Sequence, residues 1–383
     1  MTANLRSVSV IGTGMIKFGK YRGMPVAHMA RPAVIEAFKE AGVKQSQIQA
    51  IYSGAAISGW MAGQPIARET GLSGLPVINC ENACSSSATA FREAWLAVAT
   101  GIYDFVLVLG VEQLTRLGGG TLPLDAEDIE VSNGMVMPGL YAMRAQRYMH
   151  DYGATESDLA SVAVKARRHG ALNPDAQIRT ETTVDEVLGS RRIADPLTLL
   201  QCCPTGDGAA ALVICASDVA PRYNAAPVRV LGSHLASGRY MTGFRDMTIP
   251  EITVRCSKEL YEEIGLGPED LDVVECHDAF SIAELLYYEA LGLCGRGEAV
   301  KLLHDGATSL GGRVPVNPSG GLLSKGHPVG ASGAAQMVEV VRQLQGRCGP
   351  RQVVDAKVGL THVTGGGTYG FDHGACAIHV FAR

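Results

Sequence analysis

A cysteine within a run of small residues is the first candidate for chemistry. In the segment VINCENACSSSATAFREAWLAVATG, Val-Ile-Asn is typical of a strand end, and a helix is predicted to begin near Ser85 or Ser86. Cys84 would then lie at or just before a helix N-terminus, where unpaired N–H groups and the helix dipole stabilise a thiolate and lower the pKa of the thiol. Alternatively, Cys84 is a buried structural cysteine in a turn of small residues.

Two histidines occupy comparable positions in the chain. In NPSGGLLSKGHPVGASGAAQMVEVVRQLQG, His327 follows a Gly- and Pro-rich loop and precedes a helix predicted from about Ala331. In VVECHDAF, His277 follows the carboxyl end of a strand, where α/β sheets bind their ligands. A Cys–His pair is the minimum for an activated sulfur, because the imidazole takes the thiol proton. A lone histidine in a glycine-rich loop can instead be structural.

The C-terminal segment GLTHVTGGGTYGFDHGACAIHVF contains a glycine triplet. Gly365, Gly366 and Gly367 permit unusual backbone angles and the close approach of a thioester, and one of their N–H groups could serve in an oxyanion hole. A glycine triplet can also mark only a turn, so by itself it does not identify a site.

The elements that must position these residues follow an α/β pattern. Short Val- and Ile-rich runs alternate with helical stretches, which predicts largely buried sheets. Residues 42–54 match residues 265–277 in pattern: a glycine that ends a helix, a polar turn and a buried strand. The two halves therefore look like duplicated units that bring their two helix starts towards a common centre. Residues from about 115 to 200 are interpreted as an insertion that covers one end of the first unit.

The composition excludes several classes of protein. Lys and Arg total 33 against 38 Asp and Glu and are dispersed, so we expect no nucleic-acid partner. We find neither a signal sequence nor an apolar run of about 20 residues, which predicts a cytoplasmic protein without a membrane span. The 10 cysteines include no CxxC pair, and we therefore expect no metal site in this chain.

With these motifs assembled, the chain resembles the thiolase superfamily from end to end. The motifs are ENACSSS, HDAF, GHPVGASG and the C-terminal glycine loop. IADPLTLLQCCPTGDGAAALVI and MPGLYAMRAQRYM look most like segments of sterol-carrier-protein-type and archaeal acetoacetyl-CoA thiolases, with the benzoylsuccinyl-CoA thiolase branch as a further candidate. The resemblance implies an α/β thiolase fold of two pseudo-duplicated five-layered (αβαβα) halves, residues 1–225 with the insertion and residues 226–383.

The resemblance also implies a role for each matching residue. Cys84 would be acylated, and His327 would activate it and help to form a first oxyanion hole. His277, which stands where many thiolases have Asn, would polarise the thioester carbonyl in that hole. The backbone N–H groups of Cys84 and Gly365 would form a second hole. Residues in or beside these motifs are expected to bind the substrate: Met137, Ser324, Gly366 and Tyr369.

Two departures from the family pattern concern proton transfer. Most thiolases carry a second cysteine two residues before the GG pair, and here that position is Val363. Sterol-carrier-protein-type relatives often read HDCF, but here the cysteine is replaced by Ala279. We hypothesise that His362 or His373 shuttles the proton instead, because imidazole is suited to this at neutral pH. Each of these histidines could equally be a supporting or surface residue.

The reaction implied by the resemblance is thiolytic cleavage of a 3-oxoacyl-CoA, or the reverse Claisen condensation, with CoA as a substrate and no bound cofactor. An aromatic or unusual acyl group, such as that of benzoylsuccinyl-CoA, would suit the altered loop. Relatives imply a homodimer or tetramer, and a small zinc-ribbon/OB-fold subunit is a plausible partner. The alternatives are a thiolase-like acyltransferase that uses an acceptor other than CoA and a non-catalytic thiolase-like subunit.

Overall fold

The computed structural model describes residues 5–118, 120–124, 126–239, 243–367 and 372–383. Within these ranges the chain forms eleven strands and twelve α-helices. The strands are β1 Val8–Met15, β2 Ala50–Gly54, β3 Val77–Cys80, β4 Phe105–Gln113, β5 Arg192–Ala194, β6 Leu197–Thr198, β7 Asp207–Ala216, β8 Val228–Ser237, β9 Val273–Glu275, β10 Val358–Gly365 and β11 Ala375–Ala382. The helices are α1 Val26–Ala41, α2 Gly63–Glu69, α3 Ser86–Ala99, α4 Ile129–Ser132, α5 Met137–Tyr152, α6 Glu156–Ala171, α7 Val184–Gly189, α8 Glu251–Ile264, α9 Ser281–Ala290, α10 Ala299–His304, α11 Gly321–Ser324 and α12 Ser332–Leu344.

Nine of the strands form one mixed sheet in the order β3-β2-β4-β7-β1-β8-β11-β10-β9. The first half of the sheet has the strand order β3-β2-β4-β7-β1. Read from its own outer edge inwards, the second half repeats this arrangement as β9-β10-β11-β8, without a counterpart of β3. In each half the outer strands are parallel and the inner strands antiparallel. The halves join where β1 pairs with β8. The α/β architecture predicted from the alternating pattern is therefore present.

The repeated pattern at residues 42–54 and 265–277 corresponds to a repeated unit of structure. α1 ends at Gly42 with φ 65°, and α8 ends at Gly265 with φ 68°. A left-handed residue closes a helix at least cost when it is glycine, which explains why both positions carry one. Each helix is followed by a short 3₁₀ turn, Gln45–Gln47 or Pro268–Asp270, and then by the strand β2 or β9. The predicted duplication is confirmed in this part of the chain.

The helices α3 and α12 form a middle layer shared by the two halves. α3 packs on β2 and β4 and also on β8, whereas α12 packs on β9 and β10 and also on β1 and β7. α1 covers the other face of the first half, and α8 packs on β8 and β11 of the second. Five layers therefore arise across the whole chain rather than within each half, since the middle layer is common to both.

The insertion packs differently from the prediction. Residues of α5 and α6, including Tyr141, Leu159 and Val162, belong to one buried apolar cluster with Leu285 and Leu286 of α9. The segment thus covers the second half, not one end of the first, because its apolar helix faces find their partner surface there. Among the described residues, no helix is both long and apolar enough to cross a membrane.

Candidate active site

Cys84 lies in a tight turn between β3 and α3. The turn Ala83–Ser85 is 3₁₀, and α3 begins at Ser86, as the sequence predicted. Ala83 has φ 48°, a conformation that costs a residue with a Cβ about 1–2 kcal/mol. Two serine hydroxyls hold the turn: Ser85 Oγ donates to the carbonyl of Asn82 at 2.9 Å, and Ser86 Oγ donates to the carbonyl of Ala83 at 2.6 Å. The run of small residues therefore fixes the position of the sulfur.

His327 meets this sulfur from the other half of the molecule. Its Nε2 lies 3.3 Å from Cys84 Sγ, and its Nδ1 lies 2.7 Å from Ser332 Oγ. The Ser332 hydroxyl donates to the carbonyl of Pro328 at 3.1 Å, so its oxygen is free to accept a hydrogen bond. Neutral His327 therefore carries its proton on Nδ1, and the Nε2 lone pair faces the thiol. This is the orientation a general base requires.

The resting ionisation of this pair differs from the expectation. Burial, together with the negative charge of Glu112, raises the pKa of the Cys84 thiol to about 12, and only the backbone N–H of Cys84 itself lowers it appreciably. Burial lowers the pKa of His327 to about 3. The predicted lowering of the Cys84 pKa at the helix N-terminus was wrong, because desolvation outweighs the local N–H groups. The pair rests as a thiol beside a neutral imidazole.

Glu112 is a charged residue at this site that the sequence did not single out. It is fully buried and accepts hydrogen bonds from the backbone N–H groups of Ala56 at 2.9 Å and Gly330 at 3.0 Å. These bonds tie the loop after β2 in the first half to the turn that precedes α12 in the second. The carboxylate therefore holds the two halves together next to the sulfur, and FVLVLGVEQ gives a sequence signal for it as an acid ending a buried strand.

His277 completes a compact group with the other two residues. One ring nitrogen of His277, one of His327 and Cys84 Sγ lie within 4.8 Å of one another, and the two imidazole centroids are 5.0 Å apart. Among the described residues, the buried Nδ1 of His277 has no hydrogen-bond partner. Burial, and then the nearby histidines, hold the pKa of His277 well below its usual range. A neutral imidazole with one ring nitrogen beside the sulfur can contact a substrate carbonyl.

The two histidines predicted as proton shuttles lie in different surroundings. His362 is fully buried: its Nδ1 accepts from the backbone N–H of His277 at 3.5 Å, and its Nε2 lies 3.0 Å from Thr253 Oγ1. Both of its nitrogens are used in supporting contacts. His373 Nε2 lies 2.8 Å from the Tyr141 hydroxyl, and the His277 and His373 ring centroids are 6.4 Å apart. Burial lowers the pKa of His362 to about 3 and that of His373 to about 4.

The glycine loop approaches the nucleophile turn closely. A Cβ built at Gly365 would lie 2.1 Å from the carbonyl oxygen of Asn82, so only glycine fits there. Gly366 has φ 84°, and its carbonyl lies 3.2 Å from His373 Nδ1. The close approach required of this loop is therefore present at Gly365. Tyr369, the fourth predicted substrate residue, lies outside the described residues.

The other two predicted substrate residues have structural contacts. Met137 begins α5 and packs, partly buried, on the core of the second half. Ser324 is fully buried, and its hydroxyl donates to the carbonyl of Ile178 at 2.8 Å. The structure gives neither residue a contact with the Cys84, His277 and His327 group.

Both positions that lack the second cysteine lie close to the site. Val363 is buried and packs in a small apolar cluster with Cys84. Ala279 accepts a hydrogen bond at 2.9 Å from the backbone N–H of Cys203, which is only partly buried. Burial, followed by nearby charges that include Cys84, raises the pKa of the Cys203 thiol well above its usual range. A second thiol is thus near the site, although at neither expected position.

A metal ion could in principle use the same three atoms as the catalytic group. A thiolate and two imidazole nitrogens are ligands that zinc accepts, although a structural zinc site needs a fourth. The 3.3 Å separation of His327 Nε2 and Cys84 Sγ also fits a hydrogen bond to sulfur. The absence of a metal therefore stays a prediction.

Besides Glu112, sequence reasoning missed two important residues. Ser332 stands within GHPVGASG, five residues after His327, but its contact with the imidazole depends on the turn before α12. Tyr141 lies in the segment interpreted as an insertion, where its hydroxyl was the overlooked signal. The Tyr141 contact crosses the fold and the Ser332 contact depends on the shape of a local turn, and spacing along the chain reveals neither.

Comparisons with known proteins agree with this geometry. The thiolase N-terminal domain profile matches residues 8–218, and the profile of the thiolase C-terminal domain-like family matches residues 233–373. The chain is 45% identical over 368 residues to benzoylsuccinyl-CoA thiolase subunit BbsB of Thauera aromatica, covering 94% of this chain and 95% of that protein. It is 39% identical over 388 residues to the acetyl-CoA acetyltransferase of Methanothermobacter thermautotrophicus, covering 99% and 100% respectively.

Solved structures show the same architecture. A structure described as Ltp2-ChsH2(DUF35) aldolase matches with a TM-score of 0.85 and 28% identity over 98% of both chains. Human mitochondrial 3-ketoacyl-CoA thiolase matches with a TM-score of 0.76 over 100% of both chains, and at 16% identity it supports the fold alone. The predicted thiolase fold is confirmed. Taken with the end-to-end sequence identity, these matches show that the chain belongs to the thiolase family and is a CoA-dependent acyl-CoA C-acyltransferase.

Proposed function

We propose that this chain transfers an acyl group through a thioester on Cys84, with His327 as the base that takes the thiol proton. The contact between His327 Nε2 and Cys84 Sγ at 3.3 Å carries this proposal, because Ser332 fixes the imidazole in the tautomer whose lone pair faces the sulfur. Since both groups rest in their neutral forms, proton transfer accompanies attack on the thioester carbonyl. A ring nitrogen of His277 and the protonated Nε2 of His327 are proposed to bind one carbonyl oxygen, and the N–H groups of Cys84 and Gly365 are proposed to bind the other.

The proton balance is simplest in the condensation direction. His327 takes the proton of Cys84 as the sulfur attacks an acyl-CoA, and it returns this proton to the departing CoA sulfur. A second acyl-CoA then loses a proton from the carbon beside its carbonyl, and the carbanion attacks the acyl group on Cys84. The released sulfur of Cys84 regains that proton. Thiolytic cleavage is the same sequence in reverse.

The group that moves the carbon-bound proton is proposed to be His373 rather than His362. Both nitrogens of His362 are engaged by Thr253 and by the backbone of His277, which suits a residue that holds His277 in place. His373 Nε2 contacts the phenol of Tyr141, which is a more acidic hydroxyl than that of Thr253 and therefore passes a proton on more readily. No additional cofactor is needed for these steps, and CoA takes part as a substrate.

An aromatic or otherwise unusual acyl group is the proposed substrate class. The identity with benzoylsuccinyl-CoA thiolase subunit BbsB supports it. So does a cavity of about 460 Å³ with a largely apolar lining that includes Leu117, Leu122, Leu124, Met135 and Val136. A side chain of this lining, Leu124, lies 3.9 Å from a Cβ built at Gly367, so the cavity borders the glycine loop.

A second candidate is acyl transfer to an acceptor other than CoA. The absence of a thiol at Val363 and Ala279 favours it, because such a transfer need not generate a carbanion. The 28% identity to a structure described as an aldolase supports some divergence of chemistry on this fold. Assays of 3-oxoacyl-CoA cleavage and of acyl transfer to a phenol distinguish the two.

We further propose a cytoplasmic homodimer or tetramer that works with a small zinc-ribbon/OB-fold subunit. The word subunit in one relative's name and the DUF35 component in one solved complex support a partner. We place the division between the halves at residues 225 and 226. Affinity purification of the tagged chain from its native host, followed by mass determination of co-purifying polypeptides, tests for the subunit.

The decisive experiment is intact-mass analysis after incubation with acyl-CoAs of different acyl groups. The chain should gain one acyl group, and Cys84→Ala should abolish the gain. Cys80→Ala is the matched control, because Cys80 is another partly buried thiol at the end of β3 and should remain dispensable. Failure of every acyl-CoA to acylate the wild-type chain would instead support a non-catalytic thiolase-like subunit.

A further inference from the structure

Beside the catalytic group lies a buried chain of hydroxyls that begins at the contact of Tyr141 with His373. The Tyr141 hydroxyl lies 2.8 Å from His373 Nε2 and 3.4 Å from the hydroxyl of Tyr287. The Tyr287 hydroxyl in turn lies 3.1 Å from Thr364 Oγ1. Tyr141 and Tyr287 are almost completely buried. Four polar groups are thus joined in the interior, next to the glycine loop.

The directions of these hydrogen bonds follow from their partners. His373 Nδ1 lies 3.2 Å from the carbonyl of Gly366, which can only accept, so Nδ1 carries the proton of the neutral imidazole. His373 Nε2 is therefore an acceptor, and the Tyr141 hydroxyl donates to it. Both nitrogens of His373 are occupied. If the bond from Tyr141 to Nε2 stays intact, a proton can consequently reach Nε2 only through the phenol oxygen of Tyr141.

Tyr141 packs on a sequence motif that forms part of the site. Its ring stacks on Phe280 of the HDAF motif, with centroids 4.5 Å apart at 24°, so the motif that carries His277 also holds the phenol. The His373 and His277 centroids are 6.4 Å apart, and those of His277 and His327 are 5.0 Å apart. Burial raises the pKa of Tyr141, and negative charge on Cys84 contributes in the same direction. The phenol therefore rests protonated.

We propose that Tyr141 relays protons between the substrate carbon and His373, taking the place of the second cysteine. This inference rests on the proposed function. In the condensation direction the carbon beside the thioester carbonyl gives its proton to the Tyr141 oxygen, while the phenol proton moves to His373 Nε2. The products are the carbanion, an intact phenol and an imidazolium. After carbon–carbon bond formation the imidazolium returns its proton through the Tyr141 phenol and then solvent to the sulfur of Cys84.

Tyr287 provides a matched comparison within the same network. It is as deeply buried as Tyr141, and its hydroxyl contacts the Tyr141 hydroxyl, but its other hydrogen bond is to Thr364 and not to a histidine. Removing either hydroxyl takes a hydrogen-bond partner away from two buried groups, so both changes should lower stability by a similar amount. Only the loss of the Tyr141 hydroxyl interrupts the path to His373.

The test measures exchange of the carbon-bound proton separately from acylation. The full chain, with any subunit that co-purifies, is incubated with acetyl-CoA in D₂O, and deuterium uptake into the acetyl group is followed by mass spectrometry. Tyr141→Phe should lower this exchange, and complete turnover, on the order of 10²-fold, which is typical for the loss of a general acid–base group. Acylation of Cys84 should be unchanged, and Tyr287→Phe should retain exchange.

The pH profile gives a readout that a structural role would not affect. Wild-type exchange should decline as the pH falls towards about 4, where His373 becomes protonated, and residual exchange in Tyr141→Phe should not follow this titration. Exchange at the wild-type rate in Tyr141→Phe would overturn the proposal, as would an equal loss in Tyr287→Phe. Loss of exchange in Cys203→Ala but not in Tyr141→Phe would assign the role to that thiol and also overturn it. If the wild-type chain exchanges the carbon-bound proton but is never acylated, the proposed acylation of Cys84 is contradicted. The proton relay through Tyr141 is still supported in that case.

Discussion

Replacing Ser332 with alanine tests the tautomer on which the nucleophile depends. The Ser332 hydroxyl oxygen accepts from His327 Nδ1 at 2.7 Å, while its proton is directed to the carbonyl of Pro328 at 3.1 Å. Ser332 is almost completely buried, so water cannot readily substitute for it. In Ser332→Ala the N–H at Nδ1 loses its acceptor. The imidazole can then place its proton on Nε2, where it points at the sulfur and can no longer receive the thiol proton.

The size of the effect follows from the cost of an unsatisfied donor. A buried donor without an acceptor is destabilised by about 1–3 kcal/mol. A free-energy difference of this size shifts an equilibrium by roughly 5- to 150-fold. The population of His327 with a free Nε2 lone pair should fall by that factor. We therefore expect Cys84 to be acylated roughly 5- to 150-fold more slowly, with little change in binding of the acyl-CoA.

The assay is single-turnover acylation by rapid quenching and intact-mass analysis, combined with the Tm of each variant. Ser233→Ala is the matched control, since Ser233 Oγ lies 2.8 Å from Nδ1 of the buried His379 in the β8–β11 pair. Both variants lose a buried Ser–His hydrogen bond and should lose similar stability. Only Ser332→Ala should slow acylation. Equal acylation rates in the two variants would show that Ser332 does not hold His327 in its active tautomer.

Two further expectations follow from the same geometry. Gly365→Ala should lower stability by about 1–3 kcal/mol and abolish acylation, because its Cβ would meet the carbonyl of Asn82. Gly367→Ala is the control, and it should have little effect on either the Tm or the acylated mass. The rate of Cys84 alkylation by iodoacetamide should increase about tenfold per pH unit between about pH 7 and 10, because a thiol with its pKa raised to about 12 has no plateau in that range. A plateau that begins below about pH 7 would indicate a thiolate–imidazolium pair and contradict the neutral resting state.

The repeated pattern along the chain predicted duplicated α/β halves and the meeting of Cys84 with His327, whereas the thiolase fold was implied by the resemblance of the motifs to that family. Glycines at 42 and 265, followed by polar turns and buried strands, reflect local rules that act the same way in each half. Once two similar units are recognised, the helix starts at α3 and α12 are expected to lie near each other. The contact between their preceding turns follows from this pairing.

The features that the sequence did not reveal depend on how deeply a group is buried and on contacts between segments that are distant in the chain. The helix N-terminus at Cys84 suggested a lowered pKa, but desolvation in the middle layer is larger and has the opposite sign. The packing of residues 141–166 on the second half depends on which apolar surface remains uncovered after the two halves join. The roles of Ser332 and Tyr141 likewise require knowledge of which hydrogen-bond partners are already occupied.

The neutral resting state also bears on how the sulfur survives between turnovers. A thiolate is the species that reacts with oxidants, and the side chain of Cys84 is only partly buried. Burial beside Glu112 keeps the thiol protonated until a carbonyl carbon is close enough to accept its electron pair. His327 with its lone pair directed at the sulfur makes that ionisation possible only as the new bond forms. Protection of the sulfur and control of its reactivity therefore have one physical cause, the desolvation of both groups in the layer that the two halves share.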